Sequence, residues 1–153
     1  MIDWNQINNY ISEAKTILLT MHENPDGDGL GSATAMYHYL KEIDKDCRIL
    51  QISKLPFEYH YLNEGDIIET YDLDRHGKWI AKVDLAIIFD VGDFKRIRGI
   101  KDQIEHHNIA TLNIDHHPHP DEHPFTHNVV DLQAASTGAV SYTHLTLPTI
   151  LLV

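Results

Sequence analysis

Three short stretches carry the residues best suited to chemistry. His22-Glu23-Asn24-Pro25-Asp26-Gly27-Asp28 follows the apolar run 16–21, Asp90-Val91-Gly92-Asp93 follows 83–89, and Asp115-His116-His117 follows 110–114. Each sets carboxylates or imidazoles directly after a strand-like run, so three strand ends offer oxygen and nitrogen donors to one site. Carboxylates and imidazoles without thiolates suit a hard or borderline divalent cation, Mn2+ first and Mg2+ second. Two such ions about 3.5–4 Å apart on a shared carboxylate lower the pKa of a water between them and clamp the oxygens of a phosphate. Hydrolysis of a phosphoester or phosphoanhydride is the chemistry this donor set predicts.

Each stretch taken alone has a plainer reading. Asn-Pro-Asp-Gly is ordinary turn chemistry, and a lone Asp after an apolar run more often starts a loop than binds a metal. It is the recurrence at three strand ends that favours ligands. The other histidines, His106-His107 and the set His119, His123 and His127, fall in polar helix-end and loop contexts and read as solvated. Asp131 reads as a cap on the loop before Ala134-Ala135-Ser136-Thr137.

The elements that must hold these residues alternate. Asp3 and Gln6 frame a capping box before the apolar stripe Ile7, Tyr10, Ile11, Ala14. A strand over 16–21 leads through the turn to a helix marked by Leu30, Ala33, Met36, Tyr37, Leu40 and Ile43, with Tyr37 facing the core and Tyr39 exposed. Further strands are predicted at 47–53, 83–90, 110–115 and 128–132, with a helix on Ile97, Ile100 and Ile104 and another starting at 134–140. Residues 118–124 form an exposed loop, and 55–79 carries no clear pattern. Strand and helix in alternation predict an α/β fold, a mostly parallel sheet flanked by helices on both faces, with ligand sites beyond the carboxyl ends of the strands.

Composition sets limits. The 153 residues suit one domain, long enough to bury roughly two thirds of the unfolded surface. Twelve Lys and Arg against 23 Asp and Glu give a net charge of −11, which argues against a phosphate-gripping surface for duplex DNA. Bound cations would offset part of that charge. Cys47 is the only cysteine, so no intramolecular disulfide and no thiolate metal site can form. The start lacks a secretory pattern and no run approaches the ~18 apolar residues of a membrane span, so a soluble cytoplasmic protein is expected.

Through these motifs the chain resembles the DHH phosphoesterases, over roughly residues 1–140. Asn24-Pro25-Asp26-Gly27-Asp28 followed by Gly31-Ser32, Asn113-Ile114-Asp115-His116-His117-Pro118 and Ala135-Ser136-Thr137-Gly138 are most similar to the NrnA-type oligoribonucleases, which also dephosphorylate 3'-phosphoadenosine 5'-phosphate. The resemblance implies one ion held by His22, Asp26 and Asp90 and a second held by Asp28, Asp90 and His116, with Asp90 bridging. It also implies that His117 faces the substrate, as proton donor or phosphate ligand, and that Asp115 and Asn24 orient the metal ligands. Asp93 and Arg96 take structural or phosphate-proximal roles. The implied partner is a short single-stranded RNA or nucleotide, and a homodimer is expected of the longer parent. Related clusters serve manganese pyrophosphatases and cyclic-dinucleotide phosphodiesterases.

Residues 141–153 depart from this pattern. They are β-branched, interrupted by Pro148, and resemble the translation of a sequencing-adapter read-through. The expectation is an incomplete DHH domain over 1–140, a non-native tail over 141–153, and a longer natural chain. The family's later-strand Asp, which completes the second metal site, and its C-terminal substrate-binding domain are absent from the 153 residues. If this chain stood alone, it would be a non-catalytic metal- or nucleotide-binding module.

Overall fold

The computed structural model describes residues 4–141. Helix α1 (Trp4–Glu13) leads into β1 (Thr16–Met21), α2 (Gly27–Glu42), β2 (Asp46–Gln51), β3 (Ile68–Thr70), α3 (Leu73–Ile80), β4 (Leu85–Phe89), α4 (Arg98–His107), β5 (Ala110–Asp115), β6 (His127–Val130) and α5 (Thr137–Ser141). Two 3₁₀ helices, Phe57–Asn63 and Phe94–Ile97, fill the segments before β3 and α4.

All six strands pair in parallel, in the order β3-β2-β1-β4-β5-β6. The chain builds outward from β1 to β3, then crosses back to β4 beside β1 and builds outward again. Between β1 and β4 the direction of winding reverses, and at that crevice doubly wound sheets bind ligands. The expected parallel sheet is present, and among the described strands no antiparallel pair occurs.

β1, β4 and β5 are almost continuously buried, which explains their unbroken apolar sequences: both faces of these strands are covered. On one face Ile17, Leu19, Met21, Ile87, Phe89 and Ile114 pack with Ile7 and Ile11 of α1, Leu30, Met36 and Leu40 of α2, and Val140 of α5. On the other, Leu18, Ala86 and Ile88 pack with Ile80 of α3 and with Ile100 and Ile104 of α4. Each fully buried aliphatic side chain contributes roughly 2 kcal/mol by leaving water. That two-sided core makes the strand ends a rigid platform.

Some sequence readings shift. Tyr39 is half-buried rather than exposed, because it packs with Tyr37 against the α2 side of the core. The segment 55–79 holds a 3₁₀ helix, edge strand β3 and α3, all too short to establish a period. The proposed cap Asp3 and residues 142–153 of the expected tail lie outside the described residues, whereas Ser141 closes α5 and donates from Oγ to the Thr137 carbonyl. Among the described residues no helix is long and apolar enough to cross a membrane.

Candidate metal centre

Met21 pairs with Phe89 at the adjoining ends of β1 and β4, so the next residues, His22 and Asp90, emerge side by side. His22 Nε2 lies 3.4 Å from Asp90 Oδ2 and 3.8 Å from Asp26 Oδ2. Both His22 and Asp90 are buried, at 6% and 4% exposure. Asp90 has a φ of +60, a left-handed conformation that a short polar side chain tolerates better than most, and its N–H still donates to the Ile114 carbonyl. The His22 Nδ1 is 2.8 Å from the Glu23 carbonyl, a contact that fixes the ring and leaves Nε2 toward the carboxylates.

Asp26 serves twice. Its Oδ1 accepts the backbone N–H groups of Asp28 and Gly29 as the N-cap of α2, while Oδ2 faces His22. A Cβ on Gly29 would lie 3.1 Å from the Met21 Cβ, so glycine lets the start of α2 settle onto the end of β1 and carries Asp28 into the site. The Asp28 carboxylate accepts the N–H of Thr137 (2.8 Å) and of Gly138 (2.9 Å), and its Oδ2 lies 3.4 Å from His116 Nε2. His116 Nε2 is in turn 3.8 Å from Asp90 Oδ1. Asp90 thus stands between two groups of donors.

β5 supplies the third side. Asp115 is fully buried, with Oδ1 accepting the backbone N–H groups of His116 and His117 and lying 2.8 Å from His117 Nδ1. Its Oδ2 lies 2.7 Å from His119 Nε2. His117, with its side chain 54% exposed, also brings Nδ1 within 3.2 Å of Asp90 Oδ1.

The electrostatics follow from this crowding. The hydrogen bond with Asp90 raises the His22 pKa above the ordinary histidine value, against burial, which pulls it down. Burial alone would push Asp90 up, yet the His22 hydrogen bond, the charge of His117 and the Thr137 hydroxyl together hold it below the usual carboxylate range. Asp115 raises His117 in the same way. Among the described residues, the ion pairs of Asp26, Asp28 and Asp90 are all with His22, His116 and His117, and no lysine or arginine joins them. Asp90, the buried one of the three, needs a positive partner, which protonated imidazole or a bound cation can provide.

The donor set fits a pair of divalent ions. His22, Asp26 and Asp90 bring ligand atoms within 4.8 Å of one another, as do Asp90, Asp115, His116 and His117. Within the second group, however, the Asp115 oxygens are already taken by four protein donors. Asp28, each of whose oxygens accepts a single backbone N–H, is the better ligand beside His116. Asp115 then orients the neighbouring histidines.

The other candidates are scattered. Asn24 was expected to orient the ligands, but its backbone N–H donates to Ser53 Oγ, which donates in turn to Asn24 Oδ1, so it shapes the loop toward β2. Asp93 caps the 3₁₀ helix before α4 through Lys95 N, and Arg96 Nη2 sits 3.1 Å from His22 Nδ1. Asp131 forms the expected turn, accepting Gln133 N. His106 is exposed at the end of α4, and His107 beside it is half-buried.

Two features escaped the reading of the residues. Thr137 and Gly138 grip Asp28 from a helix start 109 and 110 residues away, and Thr137 Oγ1 lies 3.2 Å from Asp90 Oδ1. The small polar run Ser136-Thr137-Gly138 at a helix start, a ready anion-binding geometry, was the available signal. His119 is not solvated: its side chain is only 4% exposed because it is clamped between Asp115 and Asn128.

Comparison with known proteins agrees with this geometry. Residues 16–149 match the DHH family, N-terminal domain. The bifunctional oligoribonuclease and PAP phosphatase NrnA of Mycoplasma genitalium is 27% identical over 124 residues, which is 80% of this chain and 37% of that protein. An exopolyphosphatase-related protein from Bacteroides fragilis superposes with a TM-score of 0.81 at 23% identity, over 93% of this chain and 42% of the other. Exonuclease RecJ bound to manganese superposes at 0.59 with 16% identity, over 93% of this chain and 36% of RecJ. The two solved structures share the fold. The chain spans well under half the length of each of these relatives.

Proposed function

The chain belongs to the DHH family of phosphoesterases, and from that premise we propose that it carries the metal centre of a manganese-dependent phosphoesterase acting on short oligoribonucleotides and 3'-phosphoadenosine 5'-phosphate in a longer cytoplasmic parent. The observation that carries this reading is the convergence of His22, Asp26, Asp28, Asp90 and His116, whose carboxylates form no ion pair with a lysine or arginine among the described residues. His22, Asp26 and Asp90 would hold one ion, and Asp28, Asp90 and His116 the other. Bound divalent ions supply a water of lowered pKa and neutralise charge on the phosphate.

The chain's own residues do the rest. Thr137 and Gly138 fix the Asp28 carboxylate, and Asp26 is fixed by its role as helix cap. Asp115 engages His117 at Nδ1, which leaves Nε2 to protonate the leaving oxygen or to hold a phosphate oxygen. Of the described residues, Asp28, Asp90 and His116 would hold the second ion.

Manganese titration with turnover assays on a ribodinucleotide, adenosine bisphosphate, a cyclic dinucleotide and pyrophosphate tests the proposal. Binding of two ions with metal-dependent cleavage of the first two substrates is expected. A preference for pyrophosphate or the cyclic dinucleotide would reassign the substrate, and tight binding without turnover would reduce the chain to a binding module.

A further inference from the structure

A chain of hydrogen bonds runs through the sheet into the back of Asp115. Asn113 on β5 donates from Nδ2 to Asn128 Oδ1 on β6 (2.9 Å), and Asn128 Nδ2 lies 3.3 Å from His119 Nδ1. A side-chain amide nitrogen only donates, so His119 Nδ1 must accept and the ring proton must sit on Nε2. His119 Nε2 then donates to Asp115 Oδ2 at 2.7 Å. Every donor in the series points toward the metal centre.

We propose that His119, locked in one tautomer by Asn128 and Asn113, is a positioning residue that holds Asp115 so that Asp115 can orient His117. The geometry requires such a group. Asp115 is fully buried, its Oδ1 is occupied by His116 and His117, and among the described residues His119 is the hydrogen-bond partner of its Oδ2. Without His119 that oxygen is stranded, and the carboxylate gains by rotating away from His117. The burial of Asn113 and the seating of Asn128 on a strand make the series rigid. The role of His117 toward substrate rests on the phosphoesterase reading, but the positioning of its ring can be read without turnover.

The experiment compares the wild type, His119→Ala and His119→Gln, the last of which returns an N–H at nearly the place of Nε2. In metal-free protein, above the pH at which His117 titrates, nitrogen NMR should show His117 as a single tautomer protonated at Nδ1 in the wild type and the Gln variant. In His119→Ala it should show a mixture. Turnover should fall about tenfold or more in kcat with little change in KM for Ala, and recover in Gln. An unchanged His117 tautomer in a folded His119→Ala protein would overturn the proposal, as would equal losses in Ala and Gln. If His119→Ala fails to fold, Asn128→Leu frees the His119 tautomer without touching Asp115, and the same spectral mixing is expected. Absence of hydrolysis in every protein would count against the phosphoesterase reading and leave the NMR comparison to decide this one.

Discussion

β4 has an aspartate at each end, and the two could hardly be used more differently. Asp84, just before the strand, is exposed, and its Oδ2 accepts the backbone N–H groups of Lys15 and Thr16 at the entrance to β1. Those bonds hold its pKa below the usual carboxylate range. Asp90, just after the strand, is buried in a left-handed conformation and faces imidazoles and a hydroxyl. Its pKa is also lowered, but against burial and by side chains whose charge depends on protons or metal. In this pair, backbone donors hold Asp84 at the entrance to the sheet, whereas Asp90 faces side chains whose charge can change.

The strongest way to break the comparison is to neutralise both. Asp90→Asn should abolish metal-dependent turnover, about a thousandfold or more, and weaken metal at both positions, because Asp90 faces both donor groups. Its metal-free stability should fall moderately, most at a pH where His22 and His117 are protonated, because the carboxylate that pairs with them is lost. A large loss of stability with activity retained would invert the assignment.

Proton competition comes next. Metal must displace protons from His22, whose folded pKa is raised, so Mn2+ affinity should fall as pH drops through that raised value, with protons released on binding. Calorimetry in buffers of different ionisation enthalpy reads the protons directly. Metal-free stability should run the other way for His22 and His117. Their raised folded values give a contribution that is complete below the unfolded value of 6.5 and fades as pH rises through the folded one. Urea titrations from about pH 5 to 9 should show this fall in the wild type and a flatter profile in Asp90→Asn. Equal profiles would mean that the imidazoles do not feel Asp90.

Thr137→Val keeps the shape of the side chain and removes the hydroxyl beside Asp90. A drop of about tenfold in metal affinity is expected, because such outer partners set the orientation of a ligand. Asp84→Ala should have the smallest effect on activity, leaving it within about twofold, and should cost about 1 kcal/mol, a modest figure because the group is solvated. That corresponds to roughly 3 °C in melting temperature for a domain of this size. Its contribution exists above the unfolded carboxylate pKa and disappears as pH falls through the lowered folded value, so the gap between Asp84→Ala and wild type should close in acid. A gap that persisted in acid would assign the loss to something other than the carboxylate.

Much of this architecture could be read before folding. Unbroken apolar runs marked β1, β4 and β5 because both faces of those strands are covered, and the candidate residues His22, Asp90 and His116 stood out by following those strands at once. The edge regions were less legible. β3 has three residues and α3 eight, too few to show a period. The histidines of the 118–127 region look alike in sequence, yet His123 is exposed while His119 is buried by a partner on β6.

By itself the sequence determined the donor types, the strand–helix alternation and the emergence of candidate ligands at strand ends, because these depend on residue identity and near-neighbour spacing. Only the tertiary structure decided which donor meets which acceptor. The reversal between β1 and β4 sets His22 beside Asp90, the return of α5 brings Thr137 to Asp28 and Asp90, and the β5–β6 register aligns Asn113 with Asn128. Hydrogen bonds act over about 3 Å, whereas their partners here are separated by up to 110 residues, and packing alone closes that distance.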